Sequence, residues 1–74
     1  IKIYPNPTSD YIFVKAAPKG ATISIYSLVG SLIVKVAVEN NLTQINVASL
    51  AAGTYIMQIK TANGESLSSK IIKQ

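Results

Sequence analysis

The chain contains no cysteine, no histidine and no tryptophan, and its only carboxylate side chains are Asp10, Glu39 and Glu65. Lack of cysteine removes disulfide staples and thiolate chemistry, and lack of both cysteine and histidine removes the usual zinc ligands. Acid–base schemes built on an imidazole fall away as well. Three separated carboxylates leave little for a paired acid and base or a hard-cation cage, so the chain is not expected to be an enzyme, to hold a metal or to carry a cofactor. Arginine is absent too, and the formal charge of +4 rests on lysine alone. Lys2, Lys15, Lys19, Lys35, Lys60, Lys70 and Lys73 are spread one or two to a segment. They read as solvated strand faces and guarded edges rather than as a basic platform, and no nucleic-acid partner is expected. No apolar run approaches the ~20 residues of a membrane-spanning helix.

What the chain does have is apolar residues in alternation. Its 74 residues allow one domain, and the 49% hydrophobic share with a mean hydropathy of +0.34 argues for a folded one. Ala21, Ile23 and Ile25 alternate with Thr22, Ser24 and Tyr26, and Leu32, Val34, Val36 and Val38 with Ser31, Ile33, Lys35 and Ala37. Tyr55, Met57 and Ile59 alternate in the same way with Thr54, Ile56, Gln58 and Lys60. Shorter runs place Ile12 with Val14, Ile45 with Val47, and Leu67 with Ser69 and Ile71. A period of two in β-branched residues predicts half-buried strands, and no stretch of helical length shows a period of 3.6.

Turn chemistry separates these runs. Pro5-Asn6-Pro7-Thr8-Ser9-Asp10 is the densest cluster, and its two prolines remove two backbone donors. Pro18-Lys19-Gly20 predicts a turn, Val29-Gly30 and Glu39-Asn40-Asn41 predict tight hairpins, and Asn63-Gly64 predicts a two-residue type I′ loop. Ala48–Gly53 is the one stretch with room for a helical turn. Six or seven short strands with this punctuation predict an all-β sandwich or small barrel.

Some residues fall on the wrong side of the alternation: Tyr11, Phe13, Tyr26, Ile33 and Ile56 are expected on outer faces, as ordinary surface apolar groups or as a patch facing a partner. Ser68 and Lys70 share a strand face, but no neighbouring group would activate them as a nucleophile and base. The aromatic residues form no spaced stripe of the kind a sugar platform uses. The terminal strand is expected at or near a sheet edge with free pairing groups, open to strand addition by a receptor. The same edge offers a contact for a homo-dimer.

The order of the motifs carries more than any one of them. Tyr4-Pro5-Asn6-Pro7 follows a short strand and precedes Ile12 and Val14. Ile23, Ile25 and Tyr26 run into Leu28-Val29-Gly30, and Ile45 and Val47 lead through Leu50 and Ala52 to Gly53-Thr54-Tyr55 with Met57 and Ile59. Asn63-Gly64 then turns into Lys70-Ile71-Ile72-Lys73. This succession resembles the C-terminal sorting domain, type A, of cargo proteins of the type IX (Por) secretion system, and the resemblance spans essentially the whole chain. Ser31 stands where that family often has a basic or polar residue after the glycine turn, and Asp10 where glycine is common.

The resemblance implies a small immunoglobulin-like antiparallel β-sandwich of about seven short strands, attached to the C-terminus of a secreted precursor. It implies a sorting signal read by an outer-membrane translocon, after passage through the periplasm of a Gram-negative bacterium, and commonly removed by a surface sortase. The cargo would then be secreted or held at the cell surface. On this reading residues 1–74 are a single C-terminal sorting domain cut from a larger precursor. Tyr4, Pro5, Asn6 and Pro7 form its opening motif, Gly30, Gly53 and Tyr55 shape the sandwich, and Lys70, Ile71, Ile72, Lys73 and Gln74 form the segment on which recognition depends. The competing reading is a fibronectin-like or carbohydrate-binding accessory module of a secreted enzyme.

Overall fold

Each alternating run forms a strand in a computed structural model that describes all residues, Ile1–Gln74. The strands are β1 (Lys2–Tyr4), β2 (Tyr11–Lys15), β3 (Thr22–Ser27), β4 (Leu32–Ala37), β5 (Leu42–Asn46), β6 (Gly53–Lys60) and β7 (Ser66–Lys73), and there is no helix. They make two antiparallel sheets, a three-stranded one in the order β1-β2-β5 and a four-stranded one in the order β4-β3-β6-β7. In an immunoglobulin constant domain the first, second, fifth and fourth strands share one sheet and the third, sixth and seventh share the other. Here the fourth strand lies beside the third instead, and the remaining order is the same. The chain is an immunoglobulin-like sandwich.

The inward residues are those the period of two selects. Ile12 and Val14 of β2, with Ile45 of β5 and Val47 just after it, face Ile23 and Ile25 of β3, Met57 and Ile59 of β6, and Ile71 of β7. All are essentially solvent-free, and Ala17, Ala21 and Val38 close the core. Burying each large aliphatic chain contributes about 1.5–3 kcal/mol, so these few side chains supply most of the driving force available to so small a domain. No buried side-chain nitrogen or oxygen lacks a hydrogen bond.

Several local expectations are corrected. Glu39-Asn40-Asn41 is not a hairpin: β4 and β5 lie in different sheets, and the segment crosses between them. Asn63-Gly64 is not a two-residue type I′ loop, which needs positive φ at both central residues. Only Gly64 has it, at +94°, and the loop holds three residues between Thr61 and Glu65, closed by the Thr61 N–H on the Glu65 carbonyl at 2.8 Å. Leu32 does not share a face with Val34. Ile33 is an extra residue in β4, a bulge that sets Leu32 opposite Tyr26 while Val34 pairs with Ile25, so Leu32 joins the outer face. Ala48–Gly53 contains no helix, only a turn closed by the Leu50 N–H on the Val47 carbonyl at 3.0 Å. Leu67 is 45% exposed because the sandwich gapes at the start of β7, where it lines an open cleft with Ile1, Pro18 and Ile59.

Candidate functional site

The opening and terminal motifs, more than sixty residues apart in the chain, meet along the outer edge of β7. β7 pairs with β6 on one side only. On its other side the Thr8 N–H donates to the Ile72 carbonyl at 2.9 Å, and the Gln74 N–H donates to the Thr8 carbonyl at 2.8 Å. These two bonds make a short parallel bridge between Thr8 and Lys73. A regular parallel ladder would next use the amide and carbonyl of Asn6. Asn6 lies between Pro5 and Pro7, which have no N–H to donate and hold the backbone out of regular strand pairing. Its side chain makes those bonds instead. Asn6 Nδ2 donates to the Lys70 carbonyl at 3.0 Å, and the Ile72 N–H donates to Asn6 Oδ1 at 3.0 Å. The carboxamide thus stands in for a peptide group in the register set by Thr8, and both proline peptides, Tyr4–Pro5 and Asn6–Pro7, are cis.

The expectation that Ile71–Gln74 offers free pairing groups is therefore corrected. From Lys70 to Gln74 the edge of β7 is occupied by Asn6 and Thr8, and only the stretch from Ser66 to Ser69 runs without a neighbour beyond β6. The sequence places Thr8 in the dense turn cluster but assigns it no role in the site. Its side chain is buried and its Oγ1 donates to the Tyr11 carbonyl at 2.6 Å, which turns the chain from the edge of β7 into β2. The signal available was weak, a threonine in a proline-flanked turn, where hydroxyls commonly bond nearby backbone.

The five terminal residues divide by parity. Ile71 and Lys73 point into the sandwich, Ile71 as part of the core and Lys73 only 8% exposed, its ammonium donating to the Gln74 carbonyl oxygen at 3.1 Å. Lys70, Ile72 and Gln74 point outward. A rigid partner meeting this segment from outside would touch those three side chains and the covered backbone, not Ile71 or Lys73.

Gly30, Gly53 and Tyr55 lie at the same end of the strands as Gln74. Gly53 opens β6 at φ +152°, where a side chain is disfavoured, and pairs with Lys73. Gly30 closes the β3–β4 hairpin at φ +90°. The alternation places Tyr55 on the inward side with Met57 and Ile59, which predicts full burial between the sheets. Tyr55 is half-buried: its ring packs against the core while its hydroxyl donates to the Ala51 carbonyl, four residues upstream, at 2.6 Å. That bond across the β5–β6 corner is the tyrosine corner of immunoglobulin-like sandwiches. Tyr4 stacks on Phe13 on the outer face of the three-stranded sheet, with ring centroids 5.6 Å apart, and the Lys2 ammonium lies 6.0 Å from the Tyr4 ring.

Tyr11 lies on the outer face of the three-stranded sheet and Tyr26 on that of the four-stranded one, so the two cannot make a single sugar platform. The seven lysines sit on several strands and loops of both sheets. A protein-family model described as a secretion system C-terminal sorting domain matches residues 2–74. No curated protein and no solved structure matches the chain.

Proposed function

The chain belongs to the family of secretion system C-terminal sorting domains, the sorting signals of type IX secretion, and from that premise we propose that its recognition element is the folded composite of Tyr4–Thr8 and Lys70–Gln74. Such a domain interacts with the secretion machinery and is attached to the precursor of a secreted or surface-exposed cargo. The observation that carries the proposal is the replacement of a backbone ladder by the Asn6 carboxamide, which ties the opening motif to the edge of β7 beside the outward-facing Lys70, Ile72 and Gln74. A receptor would read those side chains on a strand already satisfied along its edge. This protects the domain from indiscriminate strand addition, to which an open edge is prone.

The finer assignments belong to the same reading. The partner is the outer-membrane translocon of a Gram-negative bacterium, approached from the periplasm, and a surface sortase acts on the junction with the cargo. The type A subgroup accounts for the Tyr-Pro-Asn-Pro opening. A homo-dimer through the terminal strand would have only its first half, Ser66–Ser69, to use. The test is export of a cargo fusion in a host that possesses the system. Deleting Lys70–Gln74 is expected to trap the passenger in the periplasm, and Asn6→Ala is expected to reduce export while leaving a folded domain. Normal export of the deletion would remove the terminal segment from recognition.

A further inference from the structure

The tip of the β3–β4 hairpin is the most exposed apolar feature of the molecule. Leu28 is 69% and Val29 is 90% exposed, and no charged residue occurs from Tyr26 to Val34. Such a turn ordinarily takes Asn, Asp, Ser, Gly or Pro, for reasons of local hydrogen bonding and φ. The backbone does not require Leu and Val here, because the β6–β7 hairpin builds the same three-residue loop with Ala62 and Asn63 in those positions. The tip is also held firmly. The Gly30 N–H donates to the Ser27 carbonyl at 3.0 Å, the Ser27 N–H to the Ser31 carbonyl at 2.9 Å, and the Ser31 N–H to Ser27 Oγ at 3.2 Å. Two apolar side chains on a rigid projection lose little conformational freedom on docking.

Apolar surface continues from this tip toward the terminal segment. The bulge sets Leu32 and Ile33 beside Tyr26 on the outer face; Tyr26 pairs with Ile56, and Ile56 in turn with Lys70. Ile72, one outward position further along β7, is 42% exposed. The strip therefore joins the tip to the outward residues of the proposed recognition element. Ile1 lines the cleft beside the β6–β7 hairpin, at the opposite end of the strands from the β3–β4 tip and Gln74, so on the sorting reading a cargo joined ahead of β1 leaves the tip clear.

We propose that Leu28 and Val29 form a knob that enters an apolar cleft on a protein of the secretion machinery, with Ile72 at the rim of the same contact. This rests on the sorting reading and names a second part of its interface. A projecting pair of side chains suits a concave protein cleft. Through the strip it is continuous with the outward residues of the terminal segment, the surface the sorting reading already gives to the secretion machinery.

The experiment uses the complete cargo precursor in a host with the secretion system. Leu28→Ala with Val29→Asn copies the chemistry of the other hairpin, and a photo-crosslinking residue at position 29 of the otherwise unchanged precursor reports the neighbour directly. The double variant is expected to export at least about tenfold less cargo, as loss of two buried apolar contacts implies, while the purified precursor keeps its protease resistance. The crosslinker is expected to capture one protein of the machinery. Normal export of the double variant overturns the proposal, and so does a crosslink only to a second copy of the chain or to lipid. If the double variant loses protease resistance, Val29→Thr, which keeps the shape of the side chain, and the crosslink decide. Deletion of Lys70–Gln74 runs in parallel. Blocked export there with normal export of the tip variant removes the knob alone, whereas normal export of both removes the sorting element as well.

Discussion

The β3–β4 and β6–β7 hairpins close with the same bonds. In the first, Gly30 sits at φ +90° and its N–H reaches the Ser27 carbonyl at 3.0 Å; in the second, Gly64 sits at φ +94° and its N–H reaches the Thr61 carbonyl at 3.1 Å. What they carry is opposite. Thr61 Oγ1, Asn63 and the Glu65 carboxylate are linked by hydrogen bonds across the second loop, with Asn63 Nδ2 donating to Glu65 Oε1 at 3.2 Å and the Glu65 N–H to Thr61 Oγ1 at 3.1 Å. The first loop presents Leu28 and Val29 to solvent. One backbone geometry thus supports a self-satisfied polar tip at the Ile1 end and an unsatisfied apolar tip at the other. Positive φ favours glycine in each, while the shared bonds place no demand on the two residues before it. The remaining difference between the ends lies in β7, which is packed and edge-covered near Gln74 and open near Ser66.

The largest effect expected from that contrast is in the core. Ile71→Ala should cost about 2–5 kcal/mol, since it removes a fully buried aliphatic chain, whereas Leu67→Ala on the same strand and face should cost under about 1 kcal/mol because Leu67 is already half in water. Urea melts of the three proteins check this, and equal losses would show that the two ends of β7 are packed alike. Next come the glycines. Gly30→Ala and Gly64→Ala should each cost about 1–2 kcal/mol, because an L side chain is disfavoured at positive φ even where space is open. The losses should match, and a large inequality in thermal midpoint would mean that the two loops are not equivalent.

A smaller effect belongs to the polar clasps at the Gln74 end. Tyr55→Phe removes one hydrogen bond, to the Ala51 carbonyl, and should cost about 1 kcal/mol, or ~4–8 °C in a domain this size. Asn6→Ala should cost about as much and also speed hydrogen exchange at the Ile72 amide, with the amides between β6 and β3 unchanged, a pattern that amide-exchange NMR resolves. Uniform acceleration would instead mean that the clasp holds the whole sandwich. The smallest effect is the hairpin exchange itself. Placing Ala and Asn at positions 28 and 29 should change stability by less than about 0.5 kcal/mol, as exposed substitutions do. A calorimetric loss well above that would show that Leu28 and Val29 serve folding.

The sequence alone determined the class of fold and the choice of core. Alternating β-branched residues with a period of two can bury only one face of a strand, so Ile12, Val14, Ile23, Ile25, Met57, Ile59 and Ile71 were inward whatever the strands paired with. The absent residue types set disulfide, thiolate and imidazole chemistry aside in the same direct way, and the order of the short motifs carried the family. Tertiary structure decided everything that depends on which segments meet. Local patterns do not reveal that β4 crosses to β5 rather than returning, because Glu39-Asn40-Asn41 has turn chemistry in either case. They do not reveal the bulge at Ile33, which reverses the face of Leu32, since an extra residue shows only against the partner strand. Above all, the pairing of Asn6 and Thr8 with Lys70–Gln74 joins groups at opposite ends of the chain. Proline removes donors at positions 5 and 7 by its own chemistry, but where the Asn6 carboxamide finds its partners is fixed only when both sheets are closed around the core.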